Sequence, residues 1–190
     1  MKGSLLFELC IGLVIMAILT CMAMPDLTRA MANTEGKQAL STLAALCNLA
    51  RAAAVKRHIP VTLCPSADEI HCSGDWHNSV LVFWGDQPKG AANAAVLAYM
   101  PVLYDRGRIT LHLFPAHGYL QFNPYGQLTA HNGTLQYCPA NGDARTSHAL
   151  FISSTGKIRW SQDQDQDGID ENAEGQPLNC LDGTALKDGK

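Results

Sequence analysis

The sequence has no CxxC pair, no glycine-rich phosphate loop and no Gly-x-Ser-x-Gly elbow. Those absences remove the commonest thiolate-metal, nucleotide and serine-hydrolase sites. His71, His77, His112, His117 and His131 are scattered, with neither ligand spacing nor a nucleophile motif beside them. The reading is therefore of a protein that is not an enzyme. Charge is also scarce: 16% of residues are charged, 7% are aromatic, and the formal net charge is -3. A balance so close to neutral selects no partner by bulk charge. No internal repeat and no low-complexity tract occurs, apart from one acidic stretch.

What is present is unevenly placed. Asp163, Asp165, Asp167, Asp170, Glu171 and Glu174 crowd one short segment, which leaves the rest of the chain mildly basic. Such an excess permits an anionic partner without demanding one. The seven cysteines divide by location: Cys10 and Cys21 in an apolar run, Cys47 in a helical pattern, and Cys64, Cys72, Cys138 and Cys180 in the polar remainder. Four cysteines in an exported body predict two disulfides. Three pairings are open to them. The short Cys64–Cys72 loop is the natural first pair, leaving Cys138 with Cys180; a cytosolic metal site is the competing reading.

Ser4 to Met24 is apolar but for one charge, Glu8. At about 1.5 Å per residue this run spans roughly 30 Å, the hydrocarbon thickness of a bilayer. A signal peptide has a shorter apolar core and a small-residue cut site. No good Ala-x-Ala site follows here, and Pro25 closes the run. Lys2 places the N-terminus in the cytoplasm and the body outside it. A carboxylate inside such a segment costs several kcal/mol unless paired, which marks Glu8 as a functional residue.

Gly3, a short apolar tetrapeptide, Glu8 and a long apolar run together resemble the type IV prepilin signature. The resemblance implies cleavage between Gly3 and Ser4 by a prepilin peptidase and methylation of the new amine on Ser4. It also implies that Glu8 pairs with the terminal amine of a neighbouring subunit, which answers the buried charge. Ser4 departs from the usual first mature residue, Phe or Met.

Beyond Pro25 the helix is expected to run to about Lys56. Leu40, Leu43, Cys47, Ala50 and Ala54 recur at steps of three and four and make one apolar face. Cys47 reads as a core thiol, and His58-Ile59-Pro60 ends the helix. The pattern then changes to short strands: Val61–Cys64, Ser79–Trp84, Ile109–Phe114, Tyr119–Phe122, Thr134–Cys138 and Leu150–Ser153. Asn123-Pro124-Tyr125-Gly126 and Ser154-Thr155-Gly156 are turn signals. Ala91–Tyr99 is read as either a short helix or a loop. The expectation is an α+β fold: residues 1–3 a leader, 4–25 the membrane and assembly half of a long helix, and 26–190 a body packed on an antiparallel sheet.

Several body segments resemble the FimT/GspH group of type IV minor pilins and type II secretion pseudopilins. These are Val61-Thr62-Leu63-Cys64, Cys72, Trp76, Val80–Trp84 with Gly85-Asp86, Leu120-Gln121-Phe122-Asn123 with Gly126, Tyr137-Cys138-Pro139, and Ala149–Ser153 leading to Gly156-Lys157-Ile158-Arg159. The resemblance implies a type IV pilin-like fold, a single-pass place in the bacterial inner membrane with a periplasmic C-terminal body, and assembly with other pilin or pseudopilin subunits. In the FimT branch a Gly-Arg-x-Arg motif contacts DNA. Here Lys157 stands at the first basic position and Arg159 at the second, with Arg145 able to join them from the preceding loop. Lys offers a point charge to phosphate but not the planar fork of Arg. The FimT-like reading implies sequence-independent binding of double-stranded DNA during uptake for natural transformation. The alternative is a GspH-like pseudopilin without DNA binding.

Asp163, Asp165, Asp167, Gly168 and Glu174 also fit the D-x-D-x-D-G-x5-E spacing of a calcium loop. The apolar residue normally found two places after the Gly is missing, since Asp170 stands there. The reading preferred is a solvated acidic loop stapled by Cys138–Cys180, without a cofactor.

Overall fold

The computed structural model describes residues 3–72, 76, 79–85, 96–101 and 107–180, without the side chains of 3–6 and 21–26. His77, Asp86, residues 91–95 and the side chains of Ser4, Cys21 and Pro25 therefore lie outside the described residues.

A single helix, α1 (Gly3–Arg57), opens the chain. It ends as expected. His58 takes φ 56°, and Pro60 bars further helix. Lys56 and Arg57 in the last turn suit the negative end of the helix dipole. Eight strands follow among the described residues: β1 (Val61–Ser66), β2 (Ser79–Trp84), β3 (Val96–Met100), β4 (Gly107–Phe114), β5 (Leu120–Phe122), β6 (Asn132–Pro139), β7 (His148–Ser153) and β8 (Ile158–Trp160).

The strands form two four-stranded sheets, in the orders β3-β2-β1-β5 and β4-β6-β7-β8, with every pairing antiparallel. The expected single sheet is thus split in two, and α1 packs on both halves. The predicted apolar face of the helix is the one buried: Leu40, Cys47, Ala50 and Ala54 are fully enclosed and Leu43 nearly so. They meet Val61, Leu63 and Phe122 of the first sheet and Leu135, Leu150 and Ile152 of the second in one core. Burial pushes the Cys47 thiol up to about 12, which keeps it protonated and inert.

All six residues of β1 are buried, because the sheet is covered on both faces. Its outer side carries a second small cluster of Cys64, Leu81 and Phe83, with Cys72, Tyr99 and Tyr119 packed against it. Both expected disulfides are formed, Cys64–Cys72 and Cys138–Cys180. Tyr137, beside the second, lies between two glycines: a Cβ at either Gly36 or Gly107 would collide with its ring. Burial, together with Glu35, pushes the Tyr137 phenol up to about 12.

The described apolar side chains from Phe7 to Leu19 are outside this core. Phe7, Leu9, Ile11, Leu13, Val14 and Met16 all stand exposed. Among the described residues no helix is long and apolar enough to cross a membrane; the expected span Ser4–Met24 includes residues whose side chains are not described.

Candidate functional site

The β7–β8 hairpin carries the predicted basic pair. Gly156 takes φ 75°, and its N–H donates to the Ser153 carbonyl at 2.8 Å. The Ser153 N–H donates to the Lys157 carbonyl at 3.0 Å, and the Lys157 N–H donates to Ser153 Oγ at 3.2 Å. Lys157 and Arg159 are both exposed. Two residues apart at the start of β8, they project to the same side. The Arg159 guanidinium lies 5.1 Å over the Phe151 ring, a contact that holds its plane.

A second turn backs the first. The Gly126 N–H donates to the Asn123 carbonyl at 2.8 Å, while Asn123 Oδ1 accepts from the N–H groups of Tyr125 and Gln127 at 2.9 and 3.0 Å. The Leu128 N–H donates to the Ser154 carbonyl at 2.9 Å and joins the two turns. A Cβ at Gly156 would collide with the Gly126 carbonyl oxygen, so only glycine permits this approach.

Arg51 of α1 closes the arrangement. Its Nε donates to the Gly126 carbonyl at 2.9 Å and its Nη2 to the Thr155 carbonyl at 3.2 Å. One guanidinium thereby fixes the basic hairpin to the helix. By periodicity Arg51 falls among the polar residues outside the apolar face. The signal that could have found it was its place at the edge of the buried stripe, one residue after Ala50 and three before Ala54.

Arg145 is not part of this group, which corrects the expectation. It lies in the 3-10 turn Ala144–Thr146, capped by Asp143. Six-residue β7 separates that turn from the hairpin, a run of roughly 20 Å. Asp143 also pairs with Arg29 of α1 at 3.5 Å.

The acidic stretch does not follow the calcium-loop scheme. Asp163, Asp165 and Glu171 bring carboxylate oxygens within 4.8 Å of one another; Asp167 and Glu174 are not in that group. The carboxylates serve the loop's own backbone. Glu171, only 4% exposed, accepts from the N–H groups of Gln164 and Asp165 at 2.8 and 3.3 Å. Asp163 accepts from the Gly168 N–H at 2.9 Å, and Asp167 from the Ile169 N–H at 2.8 Å. Asp170 turns inward: its Oδ2 lies 2.9 Å from His148 Nδ1 and accepts from Ser161 Oγ at 2.6 Å. His148 Nε2 lies 2.7 Å from Asn33 Oδ1, tying the loop to α1. This buried histidine carried no sequence signal beyond standing at the head of an apolar run. Elsewhere, the backbone N–H of His71, its ring and the Ile70 N–H hold the Asp68 carboxyl below the usual range.

Of the N-terminal residues singled out, Gly3 opens α1, the Ser4 side chain lies outside the described residues, and Glu8 is exposed on the free half of the helix. The described site offers two exposed cations on a hairpin braced by Arg51, suited to meeting phosphate oxygens.

The fold and these residues can be set beside known proteins. The chain is similar in structure to the type IV minor pilin FimU of Pseudomonas aeruginosa, at 21% identity and a TM-score of 0.54, over 77% of this chain and 96% of FimU. A second crystal form of FimU gives 22% identity and a TM-score of 0.52, over 76% and 98% of the two chains. The minor pseudopilin EpsH of the Vibrio cholerae type 2 secretion system is similar at 11% identity and a TM-score of 0.48, over 66% of this chain and 94% of EpsH. No curated protein sequence matches significantly. The family model of type II transport protein GspH matches residues 39–156. With more than half its length so matched, on a body with the minor pilin fold, the chain belongs to the GspH family.

Proposed function

We propose that this chain is a FimT-like minor pilin, cut after Gly3, held in the inner membrane by the first half of α1, and binding DNA through Lys157 and Arg159. The observation that carries the DNA reading is the exposed pair on a hairpin braced by Arg51. Each phosphate neutralised contributes about 0.9 to the slope of log affinity against log salt. The membrane reading rests on the exposed apolar side chains from Phe7 to Leu19 and on the apolar sequence around them. Glu8 within that segment pairs with the amine of a neighbouring subunit. The body then lies in the periplasm, and other pilin subunits and the prepilin peptidase are the protein partners.

The full chain in detergent is expected to retard duplex DNA at low salt, and Lys157→Ala with Arg159→Ala to abolish the shift. No shift with the parent chain moves the assignment to the second reading, a pseudopilin of type II secretion, which the description of the matching family favours. Mass spectrometry of protein from cells with active prepilin peptidase is expected to find Met1–Gly3 missing; an intact N-terminus overturns the leader assignment.

A further inference from the structure

The outer face of the second sheet carries more than the basic pair. Ile109, Leu135, Leu150, Ile152 and Ile158 point into the core, so the alternate residues of these strands face away from it. The register then fixes two rows across the sheet. His112 pairs with Thr134, Thr134 with Phe151, and Phe151 with Arg159. Phe114 pairs with Asn132 and Asn132 with Ser153, whose N–H meets the Lys157 carbonyl.

Among the described residues, the C-terminal segment covers the other half of this face. It is stapled at Cys138–Cys180, and the Asn179 carbonyl accepts from Gln136 Nε2 at 3.0 Å. Gln136 is 7% exposed as a result, whereas Phe114 is 60% exposed.

We propose that the open half is a platform for unpaired DNA bases, with phosphates held by Lys157 and Arg159. Two stacking stations lie at its ends. One is the Arg159 guanidinium over Phe151, at 5.1 Å; the other is Phe114 stacked on His131, with ring centroids 5.8 Å apart. Three interstrand steps, about 14 Å, separate the outer strands. A four-stranded sheet of that width takes two or three splayed bases, which stack on aromatic rings or on guanidinium planes. Thr134 and Asn132 between the stations offer hydrogen-bonding groups to base edges.

Electrostatics favours a nucleic acid over another protein body here. No Asp or Glu occurs from Gly107 to Gly142, nor from Ala144 to Gln162. All four strands of this sheet are therefore free of acids, while Arg108 and Arg159 lie within them. The acidic run begins only after β8. A phosphodiester meets no carboxylate on the platform strands, whereas a protein partner would leave several cations to be matched.

This inference rests on the DNA reading above, and one titration separates the two. The full chain in detergent is titrated into fluorescently labelled oligo(dT) and into a blunt duplex of equal length, read by anisotropy. Oligo(dT) is expected to bind at least as tightly as the duplex. Phe114→Ala is expected to weaken oligo(dT) about five-fold or more and change duplex affinity less than about two-fold, and Phe114→Tyr to restore the parent value. Phe151→Leu tests the other station and serves if Phe114→Ala fails to fold. Arg159→Lys is expected to weaken oligo(dT) while keeping the salt slope, because the charge stays and the plane is lost. If the parent binds duplex but not oligo(dT), or if the Phe variants leave oligo(dT) affinity unchanged, the platform is overturned and the phosphate contact stands. If neither DNA binds, both readings fall. Crosslinking of Phe114 to a second pilin body in place of DNA also overturns the platform.

Discussion

The two halves of α1 have similar apolar content and opposite surroundings. From Ala39 to Ala54 one apolar face, Ala39, Leu40, Leu43, Leu46, Cys47, Ala50 and Ala54, disappears into two sheets, while from Phe7 to Leu19 the large apolar side chains stand exposed. The hydrophobic effect acts on both, but only the second half finds its partner within the same chain. Stability of the body is thus set by one half, and the other is left for a medium or a neighbour to cover. A helix that belonged to a single globular domain would show one continuous buried stripe. The break in this one, near residue 35, marks where the folding unit begins.

The sharpest way to break that comparison is to truncate matched leucines. Leu43 is 2% exposed and Leu13 is 61% exposed. Leu43→Ala is expected to cost about 2–5 kcal/mol in urea unfolding of the detergent-held chain. Leu13→Ala is expected to stay within about 0.5 kcal/mol. Similar losses at the two positions would mean that the first half folds back on the body.

The two disulfides extend the comparison into the body. Cys138–Cys180 closes a separation of 42 residues and Cys64–Cys72 one of 8. Loop-closure entropy assigns them roughly 4 and 2.5 kcal/mol. Removing the first pair as Cys138→Ser with Cys180→Ser is therefore expected to lower the melting temperature more than removing the second. It is also expected to raise amide exchange at Gln136, whose cover it releases.

Smaller again is the slot around Tyr137. Gly107→Ala places a methyl group against that ring and is expected to cost about 1–3 kcal/mol, the usual range for overpacking. Gly118, whose Cβ would meet nothing within 4 Å, is the control: Gly118→Ala should change the melt little.

Much of this was legible in the sequence. The helix face, six strands, both disulfides and the basic hairpin all carry local signals: periodicity, turn residues and spacing. What escaped needed the third dimension. Val96–Met100 follows an alanine-rich stretch with helical leanings, and its pairing with β2 overrides that preference. Ile158–Trp160 is too short to show alternation. The acidic stretch reads as a solvated loop, but its spacing does not show that Glu171, three residues before Glu174, is buried and folds back onto the loop. Arg145 was expected beside Lys157 because both flank one strand; that same strand holds them apart. Arg51 and His148 act through partners more than seventy residues distant in sequence, which no local pattern displays.

The least of the expected effects concerns the outer face of the second sheet. His112 faces outward, yet burial lowers its pKa from 6.5. The folded chain therefore resists a proton that the unfolded chain accepts. Its contribution to stability is complete above the ordinary value and declines as pH falls from there to the lowered one. His112→Gln removes the titrating group, so the melting temperature of the variant should fall less than that of the parent between about pH 7 and pH 5. A parent curve flat over that range would show that His112 is open to solvent.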